Sequence, residues 1–180
     1  MAKRIAIAVD SLGTVTAIAY PAAKPRRASV TFILAHGAGG NQESPFMVEF
    51  AQALAARGFG MLTFNFLYSE KGAGAPGRDD LAGLVFLGYP LHPPGQPEKL
   101  RSKHLPDIKT PMLFIQGSRD AFGTPEELRP ILRGSRAPVE LCVVEGGDHS
   151  FKAPKSAGRT PTQIRDFMLD AIERWVVGLK

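Results

Sequence analysis

The chain has 180 residues and a formal net charge of +5, and 44% of its residues are hydrophobic while 22% are charged. These values predict one globular domain over residues 1–180, with enough apolar side chains to bury a core. The basic residues are scattered along the chain and are not interleaved with aromatic side chains, so nucleic-acid binding is not expected.

The single cysteine and the short apolar segments limit the remaining classes of protein. Cys142 has no partner for an internal disulfide, and its apolar surroundings, VELCVVEGG, predict a buried structural thiol. No apolar segment has the length of a membrane span or a signal-peptide core, so we expect no membrane association and a cytoplasmic location. The sequence predicts no metal cluster and no cofactor.

Apolar segments predict strands in the first half of the chain, at 4–10, 15–20, 29–36 and 60–66. The first two are joined by the glycine-containing turn SLGT, which is typical of a β-hairpin. The third, SVTFILAH, is apolar almost throughout, which predicts a strand buried on both faces. A helix is predicted over 45–58, because Ser44 can cap its start and Gly58 suits its end.

Strands and helices alternate in the second half of the chain. Strands are predicted at 81–90, 111–117 and 139–144, and helices at 124–132 and 160–179. Thr124 is expected to cap the first of these helices. The second helix has an apolar stripe made of Ile164, Phe167, Met168, Ala171, Ile172, Trp175 and Val176. This alternation predicts the α/β class, with a mostly parallel sheet flanked by helices.

Chemically unusual residues follow three of the predicted strands. The glycine-rich turn 36–40, HGAGG, exposes backbone N–H groups that can hold an anion or a developing oxyanion. Asp120 follows the strand at 111–117, and His149 follows the strand at 139–144. Because functional groups of open α/β sheets gather beyond the carboxyl ends of the strands, these residues are candidates for one site.

Asp120 and His149 are predicted to form an orienting carboxylate–imidazole pair. The carboxylate would fix the ring tautomer, and the imidazole would act as a general base. Each residue alone is ordinary, since an Asp after a strand is a turn former about half of the time. Asp148 also precedes His149, but adjacent side chains diverge, so Asp120 is the better partner.

Four motifs together resemble the α/β-hydrolases. They are LAHGAGGNQESPFM, LTFNFLYSEKG, VEGGDHSFK and the long segment from LVFLGYPLHPPG to QGSRDAFGTPEEL, and they cover most of the chain. Within that family the sequence looks like the dienelactone-hydrolase-like subgroup, which includes the testis-expressed hydrolase-like proteins of animals. The resemblance implies a hydrolase fold, an esterase or acyl-hydrolase activity on small ester-like molecules, and Asp120 and His149 as members of a catalytic triad.

The same resemblance assigns further residues to the site. It implies that Gly37, Ala38 and Gly39 supply the N–H groups of an oxyanion hole, chiefly Ala38. His36 is expected to be a structural residue of that turn. Tyr89 and His92, in the segment YPLHPPG, are predicted to bind substrate.

The family's nucleophile, a serine in a G-x-S-x-G elbow, has no counterpart in this sequence. The elbow would lie between strands 60–66 and 81–90, where about fourteen residues, Ser69–Ala82, cannot hold a strand and two helices. The chain therefore resembles a hydrolase whose nucleophile segment is missing, and strands 29–36 and 81–90 are predicted to pair directly.

Three functions remain open from the sequence. The first is a serine hydrolase whose serine lies outside this chain, and the second is an inactive hydrolase fold used for binding or as a scaffold. The third is an enzyme in which Ser118 or Ser44 substitutes, or in which the Asp120–His149 pair activates water directly.

Overall fold

The structure, a computed structural model, describes residues 2–9, 13–23, 30–37, 40–66 and 82–179. The chain forms two compact units, Met1–Gly77 and Arg78–Lys180, and each is described by itself below. The organisation of 1–180 as one domain stays a prediction.

The described residues of the first unit form a four-stranded sheet and one helix. Its elements are β1 (Lys3–Val9), β2 (Gly13–Tyr20), β3 (Thr31–Ala35), α1 (Pro45–Ala56) and β4 (Gly60–Phe64). The strand order is β1-β2-β4-β3, in which β3 and β4 are parallel and the other pairs are antiparallel. The predicted pairing of the first two strands is confirmed. Ser44 is the N-cap of α1, although its side chain makes no capping hydrogen bond.

The prediction that β3 is buried on both faces is wrong. Its residues alternate between exposed and half-buried, and Ile33 is 61% exposed. A physical reason for the exposure is that β3 lies at the edge of the described four-stranded sheet, where fewer neighbouring side chains cover it. Among the described residues of this unit, β3 pairs with β4. The direct pairing of β3 with the strand at 81–90 joins two units and stays a prediction.

The second unit contains a parallel three-stranded sheet. Its elements are β5 (Leu84–Leu87), β6 (Met112–Gly117), α2 (Pro125–Leu132), β7 (Val139–Val144) and α3 (Pro161–Gly178), with one-turn 3-10 helices at Leu105–Asp107 and Lys155–Ala157. The strand order is β5-β6-β7, and every residue of the central strand β6 is buried. Strands and helices of both units together make the predicted α/β class.

Caps and apolar faces explain where the two helices of this unit lie. Thr124 caps α2 as predicted, and Thr160 caps α3, each in a reciprocal capping box. The predicted stripe of α3 is buried at Ile164, Met168, Ala171, Ile172 and Val176, as is Leu169. Among the described helices none is long and apolar enough to span a bilayer.

Cys142 on β7 is only half-buried, not fully buried as expected. Desolvation nevertheless raises the pKa of its thiol. This residue is therefore a weakly reactive thiol of the sheet, in keeping with a structural role.

The carboxyl ends of β6 and β7 bring two loops together. A Cβ atom at Gly117, the last residue of β6, would lie 2.3 Å from the carbonyl oxygen of Gly147 and 2.5 Å from that of Asp148. Only glycine leaves room for this approach. The backbone N–H of Arg119 completes the junction by donating to the Gly147 carbonyl at 2.8 Å. The residues that follow the two strands are thereby held side by side.

Candidate active site

Asp120 and His149 lie in these two loops and contact each other directly. Nδ1 of His149 lies 2.8 Å from Oδ2 of Asp120. The Asp120 side chain is fully buried, while 37% of the His149 side chain is exposed. The structure thus places a buried carboxylate behind an imidazole that solvent can reach, which is the geometry that an orienting acid and a general base require.

The Asp120 carboxylate accepts two further hydrogen bonds. Its Oδ1 accepts the backbone N–H of Phe122 at 2.8 Å, and its Oδ2 accepts the side-chain amide of Gln116 at 2.7 Å. Both donors are neutral and belong to the same strand end as Asp120. They stabilise the carboxylate in one orientation, with Oδ2 facing His149.

The pKa of His149 is raised. The main cause is the hydrogen bond to Asp120, and the negative charges of Asp120 and Asp148 act in the same direction. Burial opposes these effects by disfavouring the charged ring. Since Nδ1 donates to Asp120, the lone pair of the neutral ring lies on Nε2, the nitrogen available to remove a proton from a reactant.

Asp148 organises the loop instead of pairing with the imidazole. Its Oδ1 accepts the backbone N–H groups of Ser150 at 2.8 Å and Lys152 at 2.9 Å. Phe151, buried within this turn, has φ of 61°, a left-handed conformation that non-glycine residues rarely adopt. The predicted choice of Asp120 over Asp148 as the partner of His149 agrees with these contacts.

Two neighbours of the His149 ring were not found from the sequence. The ring of Phe122 lies with its centroid 4.3 Å from that of His149, at an interplanar angle of 35°. Gly88, after β5, has φ of +67°, and a Cβ there would lie 2.9 Å from the His149 carbonyl oxygen and 3.3 Å from Nδ1. Both residues lie within the segments that resemble the family, but nothing in those segments indicates that they contact His149, so only the fold reveals their positions.

Tyr89 and His92 are both buried beside this part of the sheet. The Tyr89 hydroxyl donates to the carbonyl of Arg101 at 2.6 Å. His92 Nδ1 donates to the carbonyl of Pro93 at 2.8 Å, and its Nε2 lies 3.3 Å from Oε1 of Glu127 on α2. These contacts give both side chains a packing role, and their part in binding substrate stays a prediction.

The glycine-rich turn belongs to the first unit. His36 is buried, its Nδ1 donates to the Gly37 carbonyl at 2.9 Å, and its Nε2 accepts the N–H of Phe66 at 3.4 Å. These contacts agree with the expected structural role of His36. Gly37 is exposed, and Ala38 and Gly39 lie outside the described residues, so the oxyanion hole stays a prediction.

Ser118, the serine nearest in sequence to Asp120, makes a structural hydrogen bond. Oγ of Ser118 accepts the backbone N–H of Gly146 at 2.8 Å, which ties the end of β6 to the loop after β7. Elsewhere in the described ranges, no group of three or more histidine, cysteine or acidic side chains is arranged to hold a metal ion.

The class of the protein follows from its similarity to a known family. A family model described as an alpha/beta hydrolase domain matches residues 28–80 and 73–177. The chain therefore belongs to the α/β-hydrolase family.

Solved structures of hydrolases share this fold. An alpha-beta serine hydrolase homologue from Coxiella burnetii is 18% identical, with 99% of this chain and 97% of that chain covered and a TM-score of 0.57. Esterase 2 of Thermogutta terrifontis, phosphoramylated by tabun, is 14% identical, with 98% and 94% covered and a TM-score of 0.66. A dienelactone hydrolase from Anabaena variabilis is 15% identical, with 94% and 95% covered and a TM-score of 0.61.

Proposed function

We propose that this chain is an esterase-type α/β hydrolase that retains the Asp120–His149 general-base pair and lacks the serine nucleophile. The observation that carries the proposal is the 2.8 Å contact between His149 Nδ1 and the buried carboxylate of Asp120. The solved esterases of the same fold support a small ester as the substrate class.

The pair can act on an ester through water. Neutral His149 removes a proton from a water molecule at Nε2 while Asp120 holds Nδ1–H and stabilises the imidazolium. The hydroxide adds to the ester carbonyl, and the imidazolium returns the proton to the leaving alkoxide as the carbon–oxygen bond breaks. The N–H groups of Gly37, Ala38 and Gly39 are the proposed oxyanion donors, on the family resemblance.

The absence of the nucleophile rests on the sequence and on one contact. No serine in the sequence has glycines two residues before and two residues after it. Ser118 is the serine nearest in sequence to Asp120 and the first candidate for a substitute nucleophile, and its Oγ accepts the N–H of Gly146. Because loss of a triad serine lowers kcat by about a million-fold, we expect slow turnover without a covalent intermediate.

The direct test is hydrolysis of p-nitrophenyl acetate by the wild-type chain and by His149→Ala. We expect a slow rate in the wild type that falls to background in the variant. Arg136→Ala, which truncates an exposed side chain of the same unit, is the control and should keep the wild-type rate. A wild-type rate equal to background would reject the enzyme and leave the second candidate, an inactive binding protein, which the missing elbow serine favours.

Labelling with a fluorophosphonate tests for a substitute serine separately. Organophosphates form adducts with activated serines, and we expect the intact mass of this chain to stay unchanged after treatment. An adduct that disappears in Ser118→Ala or Ser44→Ala would show that this serine is the nucleophile, and the proposal would then be wrong on this point.

A further inference from the structure

Gln116, the penultimate residue of β6, lies at the centre of a buried hydrogen-bond network. It is fully buried, and its Oε1 accepts the backbone N–H of Tyr89 at 2.8 Å. Its Nε2 donates to Oδ2 of Asp120 and to the carbonyl of Gly123, both at 2.7 Å, and lies 3.3 Å from the Tyr89 carbonyl. One amide therefore joins Tyr89, which follows β5, to the loop after β6 at both Asp120 and Gly123.

The contacts fix the orientation of this amide. Three acceptor oxygens surround Nε2, and one N–H donor faces Oε1. Exchanging the two ends of the amide would place Oε1 among oxygens and leave the buried N–H of Tyr89 without an acceptor. The amide therefore has a single satisfied orientation, with Nε2 directed at Asp120.

We propose that Gln116 is the positioning residue of the Asp120–His149 pair, an inference that rests on the proposed function of that pair. Oδ2 of Asp120 accepts hydrogen bonds from Gln116 and from His149. By holding Oδ2 in place, Gln116 determines which oxygen meets the imidazole, and it thereby keeps the proton of neutral His149 on Nδ1.

The chemistry of the side chain suits this role. A Lys or Arg here would compete with His149 for the carboxylate, and a Glu would set a second carboxylate against Asp120. An apolar side chain would leave the buried Asp120 carboxylate short of a donor and the N–H of Tyr89 short of an acceptor. A neutral amide is the side chain that satisfies all of these groups without adding a charge.

The test is nitrogen NMR of the full chain across a pH titration. In the wild type, the side-chain amide signals of Gln116 should shift with the same midpoint as the ring nitrogens of His149. Gln116→Met should change the titration midpoint of His149 and shift the neutral ring from the Nδ1–H toward the Nε2–H tautomer.

Gln42→Met is the matched control, because Gln42 is a fully buried glutamine of the first unit that donates to Thr16. It should leave the titration and the tautomer of His149 unchanged. A folded Gln116→Met variant with wild-type titration and tautomer would overturn the proposal.

If Gln116→Met does not fold, the wild-type titration decides, and Gln116 signals that ignore the ionisation of His149 overturn the proposal. None of these readouts requires turnover. A lack of His149-dependent hydrolysis would therefore reject the proposed function without altering this result.

Discussion

The proton transfer proposed for this protein depends on which ring nitrogen of His149 carries the proton. The buried Asp120 carboxylate accepts hydrogen bonds from Gln116, from the N–H of Phe122 and from His149. Of these, the bond from Nδ1 of His149 comes from a side chain that is partly exposed to solvent. Because Nδ1 of His149 faces the carboxylate, Nε2 on the other side of the ring points away from it. The role of each residue therefore follows from its exposure as much as from its residue type.

Asp120→Asn should weaken the pair without changing its size. The asparagine carries no charge to stabilise the imidazolium, so we expect a lower pKa for His149 and hydrolysis reduced at least about tenfold at neutral pH. NMR titration of His149 and the rate with p-nitrophenyl acetate measure the two effects. An unchanged pKa in the folded variant would contradict the role assigned to Asp120.

The rate of hydrolysis should rise with pH. The base is neutral His149, and the hydrogen bond to Asp120 raises the pKa of His149, so a larger fraction is protonated and inactive at neutral pH. We therefore expect kcat/KM to increase through a midpoint above the ordinary histidine value of about 6.5. A profile that falls as pH rises through this range would contradict general-base action.

The contact between Asp120 and His149 could be predicted because each residue follows an apolar strand in the chain order of a hydrolase. Gln116 and Gly88 could not. In the sequence Gln116 is one polar residue in an otherwise apolar strand, and Gly88 is one glycine among many. Their importance comes from contacts with residues distant in sequence, which a local pattern does not contain.

At the scale of elements, the site is built by strand ends and tight turns. β6 and β7 end side by side, and the turn after β5 passes close to His149 because Gly88 has no side chain. Helices, caps and the parallel strands of the second unit were predictable from periodicity. The exposure of β3 was not predictable from the sequence. An apolar segment resembles a central strand even where, among the described residues, the strand has one neighbour.

Gly88→Ala should lower the stability of the fold and change the pKa of His149. The variant forces alanine into positive φ, which costs about 1–2 kcal/mol, and places a Cβ against the backbone and ring of His149. Gly95→Ala is the matched control, because Gly95 has φ of +71° and an added Cβ there would meet no atom within 4 Å.

Urea unfolding measures the loss of stability in each variant, and the NMR titration of His149 measures the effect on its ring. We expect Gly88→Ala to lose at least about 1 kcal/mol more than Gly95→Ala and to change the pKa of His149, which the control should not change. Equal losses for both variants would mean that the turn does not confine His149.

At the scale of the whole molecule, the family and the α/β class were predictable because motifs extend along most of the chain. The sheet connections were not predictable from the same motifs. We predicted from the sequence that the strand expected to join both halves is missing, which stays a prediction. The described strands form a sheet of four strands in the first unit and one of three strands in the second. The family match likewise falls into two segments, 28–80 and 73–177, that meet in this connector.

The most direct test of the central claim is the time course of p-nitrophenol release from p-nitrophenyl acetate at a high protein concentration. A hydrolase that uses its Asp120–His149 pair on water predicts slow release that is linear from the first seconds and that is lost in His149→Ala. A serine nucleophile would instead release about one equivalent in an initial burst. A burst, or a rate that His149→Ala leaves unchanged, would contradict the account.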